Sequence, residues 1–258
     1  RNKGVREAKG DIIFFTDADC MPQHNWIEEM AKPFENPKVM AVKGAYKTKQ
    51  KTLIARFAQV EFEERFNMLK KAESIDMIDT YSAGYRKSVF LSLGGFDPSF
   101  PVANNEDTEL SYKMSRAGHR MVFKPNAIVY HFGHPDSIRK YAKLKFWRGY
   151  WRIVVYKRYP DKALKDTYTP QTLKLQILFL FIFLICLPFS WVMPNLLFYL
   201  AILCLILFIL STLPFIRLAL TKDLIVALLS PFFLSVRAVS LGLGIIWGIA
   251  SQKKSENV

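Results

Sequence analysis

The sequence contains few cysteines, few histidines and few acidic residues for its length. Among 258 residues there are three cysteines and four histidines, and 22 acidic residues stand against 36 basic ones. The cysteines lie far apart, at Cys20, Cys186 and Cys204, which excludes a disulfide framework and a cysteine-based metal site. Cys20 is expected to be a small buried side chain, and the globular part of the chain is consistent with a reducing compartment.

Acidic residues are absent from 137–158, where basic and aromatic residues are interleaved. The basic residues of this stretch are Arg139, Lys140, Lys143, Lys145, Arg148, Arg152, Lys157 and Arg158. The aromatic residues are Tyr141, Phe146, Trp147, Tyr150, Trp151 and Tyr156. Such a stretch beside apolar runs predicts an interfacial helix on anionic lipid at 139–158. Single-stranded nucleic acid also binds basic aromatic segments, but the apolar runs that follow favour a membrane surface, and no nucleic-acid partner is expected.

Charge is also missing from two long runs in the C-terminal half, 175–193 and 195–216. Each run is long enough to cross a hydrocarbon core about 30 Å thick, and a soluble buried helix seldom stays uncharged on every face. The short Pro194-Asn195 link between them is typical of a tight helical hairpin. The two runs therefore predict a membrane hairpin.

A third apolar segment, 224–250, is interrupted by Pro231 and Arg237. It predicts either one tilted span or a re-entrant pair of half-helices, and its length favours the tilted span. With this segment the chain divides into four predicted parts. They are a globular domain at 1–135, a basic juxtamembrane segment at 136–173, about three transmembrane helices at 174–250 and a polar tail at 251–258.

Asp17 and Asp19 follow an apolar run, 11–16, that is typical of a buried strand. Side chains at i and i+2 of an extended segment point to the same side, and open α/β sheets bind ligands at the carboxyl ends of their strands. Two close carboxylates repel each other unless a cation lies between them. The pair therefore predicts a site for a hard divalent cation that also carries substrate phosphates. The alternative is a loop pair that caps the next helix.

Glu106 and Asp107 open a predicted helix over 106–117, in which Leu110 and Met114 fall at helical spacing. Acidic residues are common in the first turn because the helix dipole favours them there, so these two have a purely structural explanation. In the company of the aspartate pair, we interpret a carboxylate at this position as a general base that takes the proton of an acceptor hydroxyl.

His131 ends a predicted strand, 127–131, at what would be the ligand-facing end of the sheet. A single histidine is most often structural, but beside an aspartate pair that requires a metal it becomes a candidate ligand. Small residues over 82–84 would let the backbone approach a ligand closely.

Several short motifs occur in one order along the N-terminal half. They are Arg1-Asn2-Lys3-Gly4, Ala8-Lys9-Gly10-Asp11, Asp17-Ala18-Asp19, Gly94-Gly95-Phe96-Asp97, Glu106-Asp107-Thr108-Glu109-Leu110, Arg116-Ala117-Gly118-His119 and Pro125-Asn126-Ala127-Ile128-Val129-Tyr130-His131. With these motifs the chain resembles glycosyltransferase family 2, specifically its membrane-anchored bacterial and archaeal members, over 1–135. The resemblance implies an α/β fold class: a GT-A, Rossmann-like nucleotide-sugar-binding domain, incomplete at its N-terminus, followed by an α-helical transmembrane region.

The resemblance also implies roles for individual residues. Asp107 would be the catalytic base, and Asp19 would bind Mg²⁺ or Mn²⁺ on the donor diphosphate. His131 would complete the metal shell, and Asp17 would lie near the donor ribose. The residues implied to bind the donor are Asp17, Asp19, Ser82, Ala83, Gly84 and Glu106, of which 82–84 would line the sugar site.

Together these features predict a metal-dependent inverting glycosyltransferase of the hexosyltransferase type. It would be a multi-pass protein of the cell membrane with a cytoplasmic catalytic domain, acting in cell-envelope or exopolysaccharide synthesis. It would move a sugar from a nucleotide-sugar donor to a glycan or lipid-linked acceptor. The alternatives are an enzyme that uses polyprenyl phosphate as its acceptor and a non-catalytic membrane scaffold that keeps the fold. The presence of Asp17, Asp19 and Asp107 argues against the scaffold.

Overall fold

The computed structural model describes residues 1–100 and 104–255, which form two compact units. Unit 1 consists of residues 1–51, 65–134 and 155–168. Unit 2 consists of residues 52–64, 135–154 and the chain from 169 onwards. Neither unit is continuous in sequence. Of the polar tail predicted at 251–258, residues 256–258 lie outside the described residues.

The described residues form both strands and helices. In chain order the strands are β1 Ile12–Phe15, β2 Cys20–Pro22, β3 Val39–Lys47, β4 Ala83–Arg86 and β5 Arg120–His131. The helices are α1 Asn2–Glu7, α2 Trp26–Ala31, α3 Leu53–Leu69, α4 Lys87–Ser92, α5 Glu106–Arg116, α6 Ile138–Arg158, α7 Pro160–Leu164, α8 Gln171–Phe189, α9 Pro194–Leu220 and α10 Leu224–Ser255. Short 3-10 helices occupy Lys32–Glu35 and Thr80–Ser82.

The strands of unit 1 form one mixed sheet in the order β1-β4-β3-β5-β2. β3 and β5 are parallel, and the other neighbouring strands are antiparallel. At the edge of the sheet, Cys20 of β2 lies opposite His131 at the end of β5. This pairing brings the turn after β1 to the end of β5.

An aromatic cluster fixes the end of β1. The ring of Phe15 lies 5.9 Å from Tyr85, 5.8 Å from Phe90 and 5.5 Å from Phe96, measured between centroids. Phe90 and Tyr85 are fully buried. Aromatic pairs at these separations add to the free energy gained by burial. The chain therefore leaves β1 from a rigid position, and the aspartates follow within four residues.

The core of unit 2 lies where α3, α6, α9 and α10 meet. Phe57 of α3 packs with Tyr141, Phe215 and Phe233 at ring distances of 5.7, 5.3 and 5.0 Å. The first twelve residues of α3 contribute to this core within unit 2.

Three helices of unit 2 are long and apolar enough to cross a membrane: Gln171–Phe189, Pro194–Leu220 and the part of α10 at Leu224–Ser251. Many of their large apolar side chains face outward, for example Ile185, Leu203 and Leu228. An exposed apolar surface of this extent is typical of contact with lipid or another protein.

The structure distinguishes the two forms predicted for 224–250 and contains short elements that were not predicted. α10 is one continuous helix through Pro231, as the favoured single span requires, and it is not the alternative pair of half-helices. β2 was not predicted, because Cys-Met-Pro has no alternating pattern. Between β2 and β3, α2 is followed directly by a 3-10 helix, Lys32–Glu35.

Candidate functional site

Asp19 and His131 are neighbours in unit 1. The Oδ2 atom of Asp19 lies 3.4 Å from Nε2 of His131, and the Sγ atom of Cys20 lies 3.8 Å from Oδ1 of the same aspartate. One ligand atom from each of these residues falls within 4.8 Å of the others. The backbone N–H of Phe132 donates to the Asp19 carbonyl at 2.9 Å, which holds the two strand ends together. The sequence placed these side chains at separate strand ends, and the β2–β5 pairing joins them.

Because Gly133 has no side chain, the Asp19 carboxylate occupies the space where a β-carbon would be. A β-carbon at this position would overlap Asp19 Oδ2 and would lie 3.3 Å from Cε1 of His131. His131 has two further contacts. Its ring stacks on the Tyr46 ring at a centroid distance of 5.2 Å, and the Thr48 hydroxyl donates to the backbone carbonyl of His131 at 3.1 Å. The carboxylate and the imidazole are therefore fixed relative to each other.

The residues present fit a hard divalent cation. A carboxylate oxygen and an imidazole nitrogen are ligands that suit Mn²⁺, and carboxylates suit Mg²⁺. The Asp19 side chain is 49% exposed, so a cation has access to it. Burial, followed by the charges of Asp19 and Asp17, raises the pKa of the Cys20 thiol to about 12. As a soft ligand Cys20 is also the least suited of the three to a hard cation.

Arg1 joins the turn after β1 to the start of α5. Its Nη2 donates to Asp17 Oδ1 at 2.9 Å, and its Nη1 donates to Glu106 Oε1 at 2.5 Å. Thr80 donates to the other oxygen of Asp17 at 3.4 Å. Paired hydrogen bonds from a guanidinium orient carboxylates and offset their mutual repulsion. Arg1 therefore sets the spacing between the two acidic segments.

The acidic residues are close enough to perturb one another. Burial raises the pKa of Asp17, the charges of Asp19 and Asp107 raise it further, and Arg1 lowers it. Burial and the Asp107 charge likewise raise the pKa of Glu106, again opposed by Arg1. Protonated carboxyl groups are favoured in such a cluster unless a cation enters it.

Asp107 lies in the first turn of α5, which begins as predicted at Glu106. Its Oδ1 accepts from the backbone N–H of Thr108 at 2.7 Å. Asn105, the residue before the helix, has a left-handed backbone with φ of 68°. Glu106 is bonded to Arg1, and Asp107 is near enough to Asp17 for its charge to raise the pKa of that carboxyl. The structure thus brings together Asp17, Glu106 and Asp107.

Ser82, Ala83 and Gly84 are buried in the central part of the sheet. The Ser82 hydroxyl accepts a hydrogen bond from the Trp26 indole at 2.8 Å, and its side chain also packs against Gly44. The side chains of Ser82 and Ala83 are therefore enclosed within the sheet, and Gly84 packs against Phe14. The side chain from this segment that reaches the carboxylates is Thr80.

Sequence reasoning missed Arg1, Thr80 and Gly133 as parts of the site. Arg1 and Glu106 are 105 residues apart, so their pairing leaves no local pattern. A glycine directly after His131-Phe132 was the one visible signal, because a glycine often marks a close approach.

Residues 1–150 match the sequence model of a protein family described as "Glycosyltransferase like family 2". The pre-mycofactocin glycosyltransferase of Mycobacterium tuberculosis is 24% identical over 169 residues, covering 63% of this chain and 35% of that protein. The probable glycosyltransferase YdaM of Bacillus subtilis is 29% identical over 162 residues, covering 58% of this chain and 34% of that protein. The chain thus spans about a third of the length of these relatives.

A solved structure is similar over almost the whole chain. It is a mannosyltransferase from Pyrobaculum calidifontis in complex with GDP-Man and Mn²⁺. The TM-score is 0.53 at 17% sequence identity, and the match covers 96% of this chain and 65% of that one. At this identity the likeness establishes a shared fold.

Proposed function

Because the chain belongs to glycosyltransferase family 2 and has the GT-A fold, we propose that it is a metal-dependent, inverting glycosyltransferase anchored in the cell membrane. Its donor is a nucleotide sugar, as GDP-Man is in the mannosyltransferase of similar fold. Its acceptor is a glycan or lipid-linked molecule of the cell envelope or an exopolysaccharide.

Asp19 and His131 are the residues proposed to hold Mg²⁺ or Mn²⁺. When bound, the cation supplies positive charge that neutralises the leaving nucleoside diphosphate. Gly133 packs against the Asp19 carboxylate and Tyr46 stacks on the His131 ring, which holds the two ligand side chains in position. The observation that carries the proposal is the 3.4 Å approach of Asp19 to His131, beside the Arg1-bridged acidic cluster.

Asp107 is proposed to accept the proton of the acceptor hydroxyl as that oxygen attacks the sugar. A single base and a direct displacement give inversion at the anomeric carbon. Asp17, oriented by Arg1 and Thr80, is proposed to accept a hydrogen bond from the donor ribose. Glu106 is proposed to contribute to the donor site through its link to Arg1, and residues 82–84 to approach the sugar with their backbone.

The apolar helices of unit 2 are proposed to anchor the protein as a multi-pass membrane protein, with unit 1 in the cytoplasm. The support is the run of eight basic residues in α6, since basic residues are in excess on cytoplasmic flanks. Residues 139–158 are proposed to contact anionic lipid, and Arg139, Lys140 and Lys143 are exposed for that contact. We also propose the domain division at 1–135, 136–173, 174–250 and 251–258, which the loss of charge from residue 175 onwards supports.

The test is transfer by the whole chain in lipid nanodiscs, assayed against a panel of nucleotide sugars. Release of nucleoside diphosphate that requires Mn²⁺ or Mg²⁺ and stops with chelation is the expected result. Release that continues unchanged after chelation would remove the metal from the mechanism. Failure to bind any nucleotide sugar would favour the non-catalytic scaffold.

A polyprenyl phosphate acceptor is the second candidate. Unit 2 combines a basic helix with long apolar helices, which are the two features that a lipid phosphate requires. Product analysis distinguishes the two candidates, because transfer to a polyprenyl phosphate yields a lipid-extractable sugar whose linkage is labile to mild acid.

A further inference from the structure

We propose that residues 158–168, which we term the strap, are a positioning element for the proposed base Asp107. The family match ends at residue 150, whereas the strap belongs to unit 1 together with the sheet and α5. The inference rests on the role in transfer proposed above for Asp107. It adds to the reaction a set of residues that lie beyond the family match and act through the position of α5.

Two buried hydrogen bonds join the strap to α5. The Tyr159 hydroxyl donates to Glu109 Oε1 at 3.0 Å, and the Tyr112 hydroxyl donates to Asp166 Oδ2 at 2.6 Å. All four side chains are buried. Burial, followed by the charge of Glu109, raises the pKa of Tyr159 to about 12, so the phenol keeps the proton that it donates. A buried carboxylate that loses such a donor carries a desolvation penalty, so these bonds hold α5 against the strap.

Arg158 binds the chain that precedes α5. Its Nη1 donates to Asp97 Oδ2 at 2.6 Å, and its Nη2 donates to the Ser99 hydroxyl at 3.4 Å. The next residue, Tyr159, binds Glu109 in the first turn of the helix. Two consecutive residues of the strap therefore bind the chain before α5 and its first turn, and they constrain the direction in which the helix starts.

Asp76 attaches the strap to unit 1 at a second place. Its Oδ1 accepts from Lys162 Nζ at 2.7 Å, and its Oδ2 accepts from the backbone N–H of Thr167 at 3.0 Å. The Asp76 N–H in turn donates to the Thr167 hydroxyl at 2.7 Å. The strap is thus held independently of its bonds to Glu109 and Tyr112, and it provides a fixed support for α5.

The strap and the acidic cluster lie on different faces of α5. Glu109 and Tyr112 are three residues apart, so they share the face that bonds to the strap. Asp107 is two residues from Glu109 and therefore lies on roughly the opposite face, where its charge acts on Asp17. The strap thus acts on Asp107 through the position of the helix. Misplacement of a reacting group by about 1 Å can lower a rate by about 10²-fold.

Tyr159→Phe tests the inference, because it removes the hydroxyl that bonds to Glu109 and keeps the buried ring. The assay is nucleoside diphosphate release by the whole chain in nanodiscs, with the nucleotide sugar that gives the fastest release in the panel above. We expect kcat to fall about 10-fold, while the donor Kd and the stoichiometry of donor binding stay unchanged. A fall in stoichiometry that accounts for the fall in rate would show a purely structural role and would overturn the inference, as would an unchanged kcat.

Asp161→Asn is the matched control. Asp161 is also in the strap and pairs with Arg116 of α5 at 2.7 Å, but both side chains are at least half exposed. Surface pairs of this kind contribute little, so this variant should keep the kcat of the unaltered chain. If Tyr159→Phe does not fold, Asp166→Asn replaces it, because it weakens the other buried bond to α5 and has the same expected result.

A double-mutant cycle with Asp107→Asn shows whether Tyr159 acts through the proposed base. In the Asp107→Asn background, Tyr159→Phe should leave the residual single-turnover rate unchanged, because the carboxylate that it positions is already gone. An equal fold-loss in both backgrounds would refute the inference and leave the proposed base intact. A near-normal rate for Asp107→Asn alone would instead remove the proposed base, and the inference with it.

Discussion

The backbone of Gly133 lies against the carboxylate of Asp19, in a position where any β-carbon would overlap Oδ2. We predict that Gly133→Ala displaces this carboxylate from His131. Because groups that position a ligand are worth about 10–100-fold in metal affinity, the Kd for Mn²⁺ should rise by that factor. Mn²⁺ titration followed by electron paramagnetic resonance measures it. Gly4→Ala is the matched control, since a β-carbon there meets no atom within 4 Å. Equal Mn²⁺ affinity in both variants would contradict the proposed site.

Asp19→Ala should remove a metal ligand while the sheet stays folded. Asp19 is half exposed and is not part of the hydrophobic core, so the melting temperature should change little. Metal affinity should fall by more than about 100-fold, beyond the effect of a positioning residue. Nucleoside diphosphate release with and without Mn²⁺ checks the functional consequence. A variant that keeps metal-dependent turnover would move the metal away from Asp19.

Asp107→Asn should keep donor binding and lose turnover. General-base catalysis typically contributes about 10²–10⁴-fold, and an amide is unable to accept the proton. Its shape preserves the hydrogen bond from the Thr108 N–H that the carboxylate makes now. Calorimetric donor titration combined with single-turnover rates separates binding from chemistry. A near-normal rate would place the base on another residue.

Arg1→Ala should make stability more dependent on pH. Burial raises the pKa of Glu106 from its ordinary value of 4.5, and Arg1 opposes the rise. A raised carboxyl pKa contributes stability below the unfolded value, and this contribution is lost as pH rises through the folded value. Removing Arg1 raises the folded pKa further. The variant's deficit in Tm should therefore be larger at neutral pH than at about pH 5.

The deficit of Arg1→Ala is measured by thermal unfolding without metal across this pH range. Arg1→Lys should recover part of the loss, because an ammonium keeps the charge but not the two-pronged geometry. Lys3→Ala is the control, since its pair with Glu7 is highly exposed. A deficit that is the same at every pH would show that Arg1 acts through packing alone.

Glu61→Gln should destabilise unit 2. Glu61 is fully buried and accepts hydrogen bonds from Arg237, Lys145 and Tyr141 at 3.0, 3.0 and 2.9 Å. Removing one partner from a buried ion pair typically costs about 3–5 kcal/mol. Chemical unfolding in detergent measures the change.

The control for Glu61→Gln is Glu63→Gln. Glu63 pairs with Lys222 at 2.8 Å, but both side chains are partly exposed. Such surface pairs contribute about 0–1 kcal/mol. If both variants lose a similar free energy of unfolding, Arg237 and Lys145 must pair with water or with other groups when Glu61 is neutral.

The sequence predicted the features that have local patterns. The apolar run before Asp17 became β1, the helix that opens at Glu106 became α5, and the strand that ends at His131 became the end of β5. Family 2 membership and the GT-A fold were predicted from motifs in a fixed order, and both are confirmed. These features depend on side-chain periodicity and short-range spacing, which a single sequence displays.

The features that the sequence did not predict depend on distant pairings. β2 consists of three residues, and its partner in β5 lies more than a hundred residues later in the chain. Arg1 finds Glu106 across 105 residues. The proposed roles of Asp17, Asp19, Asp107 and His131 stay predictions.

The buried pair of Glu61 and Arg237 also has a consequence for how the chain is made. The two residues are 176 positions apart, and the carboxylate is synthesised first. Gln176, which accepts a hydrogen bond from Arg237 at 2.7 Å, is also made before it. The arginine is therefore the last member of this group to leave the ribosome, and both of its partners already exist when it emerges. The buried arginine is therefore synthesised only after the carboxylate and the amide that pair with it.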